Sequence, residues 1–516
     1  MYTKLLSASV QGVEGRLIEV EVDITNGLPL VNIVGLPDPS VRESMDRVRS
    51  AVKNCGYNFP LQRITVNLAP ADLRKEGTAY DLAIAAGVLA ASGQLNADAL
   101  EGMLIIGELA LSGKIRPVAG VLPMVEQARQ QGVLRVLLPA ANVEEAALIQ
   151  GMQLHPVDHL SDMVTGARVG AMPIRDAAMD GSVAEPARSL FHKGGIDYSE
   201  VRGQHHAKRA LLTAAAGRHN ILLSGAPGTG KTMLIRRLPG IMPPLSEEEA
   251  LEVTKIYSAA GKLAQQRAAL IRERPFRSPH HTISAGGLVG GGTHPKPGEV
   301  TLAHHGILFL DELPEFSRKA LEVLRQPLED CGVTIARTRA VFHFPARFML
   351  AASMNPCQCG FAGEASEEEG QSCSCTSVKV AAYRARISGP LLDRIDLQVE
   401  VPRPPSLLNH KPGWTTSQMR EMAMAAEERQ HARASETGVR WNSELGGHAL
   451  QWAARLQPAA QTMLQDVYKS LGLSLRGHDR ILKLARTIAD LNDSDEVQFE
   501  HVAEAVQYRC MDRKLN

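Results

Sequence analysis

The sequence has no net charge, no long apolar run and no framework of cysteines, and each absence narrows what the protein can be. Lys and Arg number 56, and Asp and Glu also number 56, a formal balance of zero. That excludes a generally basic surface but leaves room for a local basic channel, because binding depends on where the charges sit. No stretch reaches the ~18 uninterrupted apolar residues of a membrane span, so no membrane partner is expected. The opening residues Met1-Tyr-Thr-Lys-Leu-Leu6 run straight into an alternating strand pattern. They lack the apolar run and small-residue cleavage site of a secretory signal. Seven cysteines are too few to staple 516 residues, and four of them fall within nineteen residues. That clustering points to metal binding in a reducing compartment, and the expected location is the cytoplasm. No internal repeat is visible, and the one low-complexity patch is the acidic stretch Glu364–Gly370.

What is present is enough for about three domains. Apolar residues make up 44% of the chain, sufficient for sizeable cores. In the first segment Ile18, Val20, Val22 and Ile24 alternate with Glu19, Glu21 and Asp23, the period of a half-buried strand. Asp38-Pro39 offers a helix N-cap and first-turn proline, Val41, Met45, Val48 and Val52 follow at helical spacing, and Gly56 stops the helix. Ile64, Val66 and Leu68 predict another strand, residues 80–92 an apolar helix, and residues 103–107 and 133–139 short strands. The fold class expected for residues 1–165 is mixed α/β. Residues 166–194 hold Gly166, Gly170, Pro173, Gly181 and Pro186 with little periodicity and read as a linker. Residues 195–404 alternate strand and helix patterns, as in a parallel sheet with crossover helices. Residues 405–516 become purely helical, with Ile481, Leu484, Ala485, Ile488 and Leu491 on one apolar face and Leu464, Val467, Tyr468 and Leu471 on another.

The strongest motif follows the apolar strand Ile221-Leu-Leu-Ser224. Gly225, Ala226, Pro227, Gly228, Thr229, Gly230, Lys231 and Thr232 spell a phosphate loop in strand–loop–helix context. Glycines let backbone amides close around phosphates, Lys231 neutralises the β and γ charges, and Thr232 is a ligand for Mg²⁺. ATP and Mg²⁺ are the expected cofactors. About 80 residues on, Ile307-Leu-Phe-Leu310 is a buried strand with Asp311 and Glu312 at its tip. Asp311 is placed to hold the magnesium shell and Glu312 to polarise the attacking water. A helix N-cap would explain an isolated Asp-Glu equally well. Asn355 ends the next apolar strand, where it either orients the water or γ-phosphate or simply forms a turn before Pro356. Arg394, set among apolar neighbours in Leu391-Leu-Asp-Arg-Ile-Asp396, suits an arginine finger given to a neighbour's ATP, or an internal ion pair with Asp393 or Asp396. Arg476 opens a late helix and is either a γ-phosphate contact or a solvated arginine.

Cys357-x-Cys359, thirteen residues, then Cys373-x-Cys375 is a set that can wrap a tetrahedral Zn²⁺ in a structural role, although the single-residue spacing is tighter than usual. The alternative is four free thiols on a loop. The pairs His280-His281 and His304-His305 are poor chelators, because adjacent side chains diverge. Val333–Phe344 reads as a hairpin with Arg337 and Arg339 flanking its tip, and Thr282–Glu299 as a glycine-dense loop carrying Lys296. Both have ordinary readings as surface features.

Taken together, Pro275-Phe-Arg-Ser-Pro-His-His-Thr-Ile-Ser284, Gly298–Glu315, Asn355-Pro-Cys357 and Ile387–Asp396 resemble the magnesium-chelatase-like branch of the AAA+ ATPases, and within it the ComM/YifB family, over nearly the whole chain. The resemblance implies an AAA+ P-loop NTPase core with a C-terminal helical lid. It further implies a homohexameric, ATP-dependent DNA helicase that drives branch migration during recombination in natural transformation, with recombination proteins as possible partners. Two hairpins would line a central pore, making Arg337, Arg339 and Lys296 DNA contacts that grip phosphates without reading sequence. A metal-chelatase-type motor acting on a protein partner is the alternative. Gly107–Gly120 resembles the Lon-protease-like (S5 domain 2-like) fold. Ala79 stands where a Lon serine is expected, and an alanine cannot attack a carbonyl, so the N-terminal domain is expected to be proteolytically inactive.

Overall fold

The computed structural model describes residues 1–169, 173–176, 196–263, 269–292, 295–337, 340–363, 373–403 and 413–509. Most of the expected linker 166–194, the acidic patch and Arg339 lie outside the described residues. The chain forms two compact units. The first draws on Met1–Arg188, Glu247–Ile271 and Ala336–His343, and the second on Ser189–Ser246, Arg272–Ile335 and Phe344–Asn516.

In the first unit β1 (Tyr2–Gln11) and β2 (Glu14–Thr25) pair antiparallel, Tyr2 opposite Asp23 through Gln11 opposite Glu14. The predicted alternation of β2 buries Ile18, Val20, Val22 and Ile24 on one face. After β3 (Leu30–Val34), helix α1 (Pro39–Asn54) starts where the sequence indicates: Asp38 Oδ1 accepts from Val41 N–H at 2.8 Å. Next come β4 (Arg63–Ala69) and α2 (Asp81–Ala91). Helix α2 is apolar on nearly every side and correspondingly buried. A Cβ at Gly87 would fall 2.6 Å from Val22 Cγ2, so α2 lies close on β2. Then follow β5 (Met103–Ile105), α3 (Val121–Gln130), β6 (Arg135–Pro139), β7 (Gln153–Val157), α4 (Leu160–Val169) and β8 (Arg175–Asp176). The eight-stranded sheet runs β8-β7-β6-β5-β1-β2-β4-β3 and mixes parallel and antiparallel neighbours.

The helix Glu247–Ala259 belongs to this unit although it lies far along the chain. Lys255 Nζ meets Glu126 Oε2 at 2.7 Å, and Ser258 Oγ donates to the buried carboxylate of Glu145, which also accepts from Leu122 N–H. Burial pushes the Glu145 carboxyl above the ordinary range.

The second unit is built on a five-stranded, all-parallel sheet. Its elements are α5 (His205–Gly217), β9 (Ile221–Ser224), α6 (Lys231–Arg236), β10 (Phe276–Arg277), β11 (Ile307–Leu310), α7 (Arg325–Asp330), β12 (Met349–Met354) and β13 (Leu397–Glu400). The strand order is β10-β11-β12-β9-β13. Strands β11 and β12 are buried along their whole length, which is why they read as unbroken apolar runs. The helical region supplies α8 (Thr416–Thr437), α9 (Pro458–Leu471), α10 (Leu475–Leu491) and α11 (Phe499–Gln507). Helix α8 opens with a capping box, Thr415 Oγ1 accepting from Gln418 N–H while Gln418 Oε1 accepts from Thr415 N–H. Ile481, Leu484, Ala485 and Ile488 of α10 join one apolar core with α5, α8 and the sheet. Tyr468 departs from its expected burial. It is 37% exposed and meets His478 edge-on at 6.0 Å. Among the described residues, no helix is long and apolar enough to cross a membrane.

Candidate nucleotide site

In a parallel sheet, chemistry gathers where strands end and loops begin. The C-terminal ends of β9, β11 and β12 do this here. The loop Gly225–Gly230 leaves β9 and enters α6. Gly225 is required by contact, since a Cβ there would lie 2.3 Å from Val401 O. Gly228 (φ +81) and Gly230 (φ +91) hold left-handed backbone with open space beside them. Lys231 is 8% exposed, and its Nζ donates to Gly225 O at 2.7 Å, Ala226 O at 2.8 Å and Asn355 Oδ1 at 3.3 Å. The ammonium is thus folded back on its own loop, at the point where phosphate oxygens would replace the carbonyls.

Thr232 Oγ1 donates to Asp311 Oδ2 at 3.0 Å, and Ser353 Oγ donates to Asp311 Oδ1. The Ser353 hydroxyl also accepts from Glu312 N–H at 3.3 Å. Glu312 sits at φ +55, left-handed backbone that is costly for a residue with a Cβ. The turn aims its side chain away from the buried strand, leaving it 57% exposed with His281 Nδ1 at 3.7 Å. Lys231, Thr232, Asp311, Glu312 and Asn355 therefore converge as the sequence indicates. Glycine backbone free of side chains, one buried ammonium and a hydroxyl–carboxylate pair fit a nucleoside triphosphate with magnesium. Lys231 would hold the β- and γ-phosphates, and Thr232 and Asp311 the ion, whose charge offsets that developing on the phosphoryl group.

Sequence reading missed Ser353, whose only signal is a hydroxyl at the tip of an apolar strand. It also missed Gln204, whose Nε2 donates to Pro402 O at 2.6 Å and lies 3.5 Å from Thr229 O, and His281.

Arg394 and Arg476 are placed elsewhere. Asn220 Nδ2 donates to Arg394 O at 2.9 Å, and Asn220 directly precedes β9. The phosphate loop leaves the other end of that strand, about 13 Å away at ~3.3 Å per residue. Arg476 does not come to the phosphate loop either. Both guanidiniums share Glu329 of α7, Arg394 in a close ion pair and Arg476 at 3.5 Å. The ordinary alternative named for Arg394, a pair with Asp393 or Asp396, gives way to this one. Among the described residues, Arg394 Nε is buried with no hydrogen-bond partner. The two arginines line a cavity of about 520 Å³ with Arg218, Arg347, Arg480 and Lys483. Asp396 lies on its wall. Burial alone would raise its pKa, but His219 and the charge of Arg480 bring the carboxyl down to about 2.

The cysteines come together. Cys357 Sγ lies 3.2 Å from Cys359 Sγ and 3.8 Å from Cys373 Sγ, with Cys359–Cys373 at 3.6 Å. With Cys375 the four sulfurs all fall within 4.8 Å of one another. Zn–S bonds of about 2.3 Å in a tetrahedron place sulfurs about 3.8 Å apart, so the set fits zinc. The Phe361 N–H, then the Cys357 thiol, hold the Cys359 thiol down to about 6, while, against the Cys375 N–H, desolvation and the neighbouring Cys359 and Cys357 push Cys373 up to about 11.

Residues Gly332–Arg337 and Ala340–Pro345 pair as the expected two-stranded hairpin, with Arg337 exposed. Gly290-Gly291 pairs antiparallel with Lys296-Pro297, leaving Lys296 exposed. Two glycines of that loop have a packing reason: a Cβ at Gly290 would lie 2.5 Å from Lys296 O, and one at Gly298 would lie 2.3 Å from Gly290 N. In the first unit Ala79 is buried in an apolar cluster, and neighbouring Thr78 donates to Glu108 at 2.6 Å.

Comparison with known proteins agrees with this geometry. The family described as magnesium chelatase, subunit ChlI matches residues 197–407. Subunit ChlI of Mg-chelatase matches 20–142, and its C-terminal family matches 413–509. The YifB protein of Salmonella typhimurium is 44% identical over 507 residues, 98% of this chain and 96% of its own. Competence protein ComM of Haemophilus influenzae is 42% identical over 516 residues, 99% and 97% of the two chains. Lon protease 2 of Bacillus subtilis is 26% identical over 168 residues, 29% of this chain and 30% of its own. With a complete phosphate-loop site and relatives aligned from end to end, the chain belongs to the ComM/YifB family of magnesium-chelatase-like AAA+ ATPases.

Proposed function

We propose that this chain is an ATP-driven DNA translocase that works in the cytoplasm as a homohexameric ring and drives branch migration during homologous recombination of incoming DNA. The observation that carries the ring is the separation of Arg394 from its own phosphate loop by the length of β9. An arginine finger so placed serves a neighbour's ATP, and subunits that complete one another's sites head to tail close into a ring. Arg476, bound to the same Glu329, belongs with Arg394 on the giving side of that interface.

DNA as the substrate is supported by full-length similarity to a competence protein and by the exposed cations Arg337 and Lys296 on two short hairpins. Arg339 completes the basic tip in this reading. Zinc at Cys357, Cys359, Cys373 and Cys375 is the structural metal. A second reading, a chelatase-type motor remodelling a protein partner, is favoured by the description of the family that matches residues 197–407.

DNA binding separates the two. Affinity for a 40-nucleotide strand should fall steeply between low and moderate salt, and Arg337→Ala should flatten the log–log slope by about one. DNA should also stimulate ATP hydrolysis. An affinity indifferent to salt, or hydrolysis indifferent to DNA, would remove the translocase and leave the protein-remodelling motor.

A further inference from the structure

The four-cysteine cluster lies beside the phosphate loop. It follows directly from Asn355, and the segment Asn355–Gly360 touches the phosphate loop at two points. Asn355 Oδ1 accepts from Lys231 Nζ at 3.3 Å. Gly360 then lies directly on Pro227, for a Cβ at Gly360 would fall 2.6 Å from Pro227 Cδ and 2.7 Å from Pro227 Cγ. Gly360 turns at φ +93, and its N–H donates to Cys357 O at 3.1 Å, so its position follows that of the cysteine pair around it. Arg384 Nε donates to Pro356 O at 3.2 Å, tying the start of the same segment to a helix. The far side of this turn is where the sulfurs of Cys357, Cys359, Cys373 and Cys375 converge.

We propose that the cysteine knuckle is a metal-dependent brace for the phosphate loop: zinc held by Cys357, Cys359, Cys373 and Cys375 keeps Gly360 seated against Pro227, so nucleotide affinity depends on metal occupancy. This rests on reading the four thiols as zinc ligands. The physical reason is preorganisation. A phosphate loop held in its binding shape loses less conformational freedom when the triphosphate arrives. The glycine at 360 is what allows the two loops to touch. Metal content and nucleotide binding thereby become coupled quantities, and the coupling is reciprocal, since nucleotide must tighten zinc binding by the same factor.

The experiment uses the full-length chain and reads metal content and the Kd for a fluorescent ADP analogue separately. Wild type should carry one zinc per chain. Cys373→Ser lies across the knuckle from the segment that touches the loop. It should lose the metal and weaken ADP by about fivefold or more. Chelator-stripped wild type should weaken likewise and recover on adding zinc. Gly360→Ala should keep its zinc yet lose ADP affinity to a similar degree, because the methyl group pushes Pro227 away. Gly363→Ala is the control. That residue has the same left-handed backbone, φ +91, but nothing within 4 Å of its Cβ among the described residues, so affinity should hold. Wild type without zinc overturns the metal reading and the brace together. Zinc present, with Cys373→Ser and Gly360→Ala both binding ADP as wild type does, overturns the brace alone. Equal loss in Gly363→Ala and Gly360→Ala assigns the effect to backbone strain and likewise overturns the contact.

Discussion

Glu312 occupies left-handed backbone because β11 ends there and the carboxylate has to leave the buried strand, while Asp311 stays tied to Thr232 and Ser353. The two adjacent acids therefore have separable roles. Glu312→Gln should bind ATP with near-native affinity but hydrolyse it about 10²- to 10⁴-fold more slowly, as loss of a proton acceptor for water requires. Phosphate release measured beside nucleotide binding checks this. A loss of binding instead would move Glu312 into the magnesium shell. Asp396 carries a pH prediction. Its folded pKa, about 2, is below the ordinary 3.8, so its contribution is present above pH 4 and is lost as pH falls toward 2. A shift of that size corresponds to about 2 kcal/mol. Asp396→Asn should lower the melting temperature at pH 7, and the gap to wild type should close on acidification through that window. A gap that stays constant would show that the carboxylate charge contributes nothing.

At the scale of elements, α10 is held to α8 by more than its apolar stripe. Arg486 and Asp490 are almost wholly buried. Asp490 accepts from Arg486 Nη2 at 2.9 Å and from Arg433 Nη1 of α8 at 2.8 Å. Removing one partner of a buried network leaves an uncompensated charge, at about 3–5 kcal/mol. Asp490→Ala should unfold the C-terminal helices at markedly lower denaturant while Asp490→Asn loses less, followed by helical circular dichroism. Parity between the two would mean that packing alone holds the helices.

The same scale shows what the sequence made legible. The phosphate loop, β11 with its acidic tip, α1 with its Asp38 cap and the apolar stripe of α10 are all local patterns, set by residues within a turn or a strand of one another. Ser353, His281 and Glu329 were illegible because their roles depend on tertiary neighbours: sheet order brings β12 beside β11, the turn after β11 brings Glu312 to His281, and folding brings Glu329 to Arg394. Arg476 reads from sequence as either a γ-phosphate contact or a solvated arginine, because adjacency to a helix start does not tell which end of the sheet that helix reaches. The helix Glu247–Ala259 gave no sign that it is built into the first unit, since its own periodicity is the same whichever core receives it.

For the whole molecule, the proposed ring has each active site completed by Arg394 of a second copy. Arg394→Ala and Glu312→Gln should each be nearly inactive alone. Mixed, they should regain ATPase activity, because some interfaces then pair an intact Glu312 with an intact Arg394. Mixtures no more active than the parents would make Arg394 an internal structural residue, paired with Glu329 and nothing else. Translocation is the central claim and has its own direct measurement: movement of a synthetic four-way DNA junction by the purified full-length chain. Wild type should resolve the junction into duplex arms only with ATP and Mg²⁺, and Glu312→Gln should bind the junction but leave it in place. Vigorous ATP hydrolysis with the junction unmoved would contradict translocation.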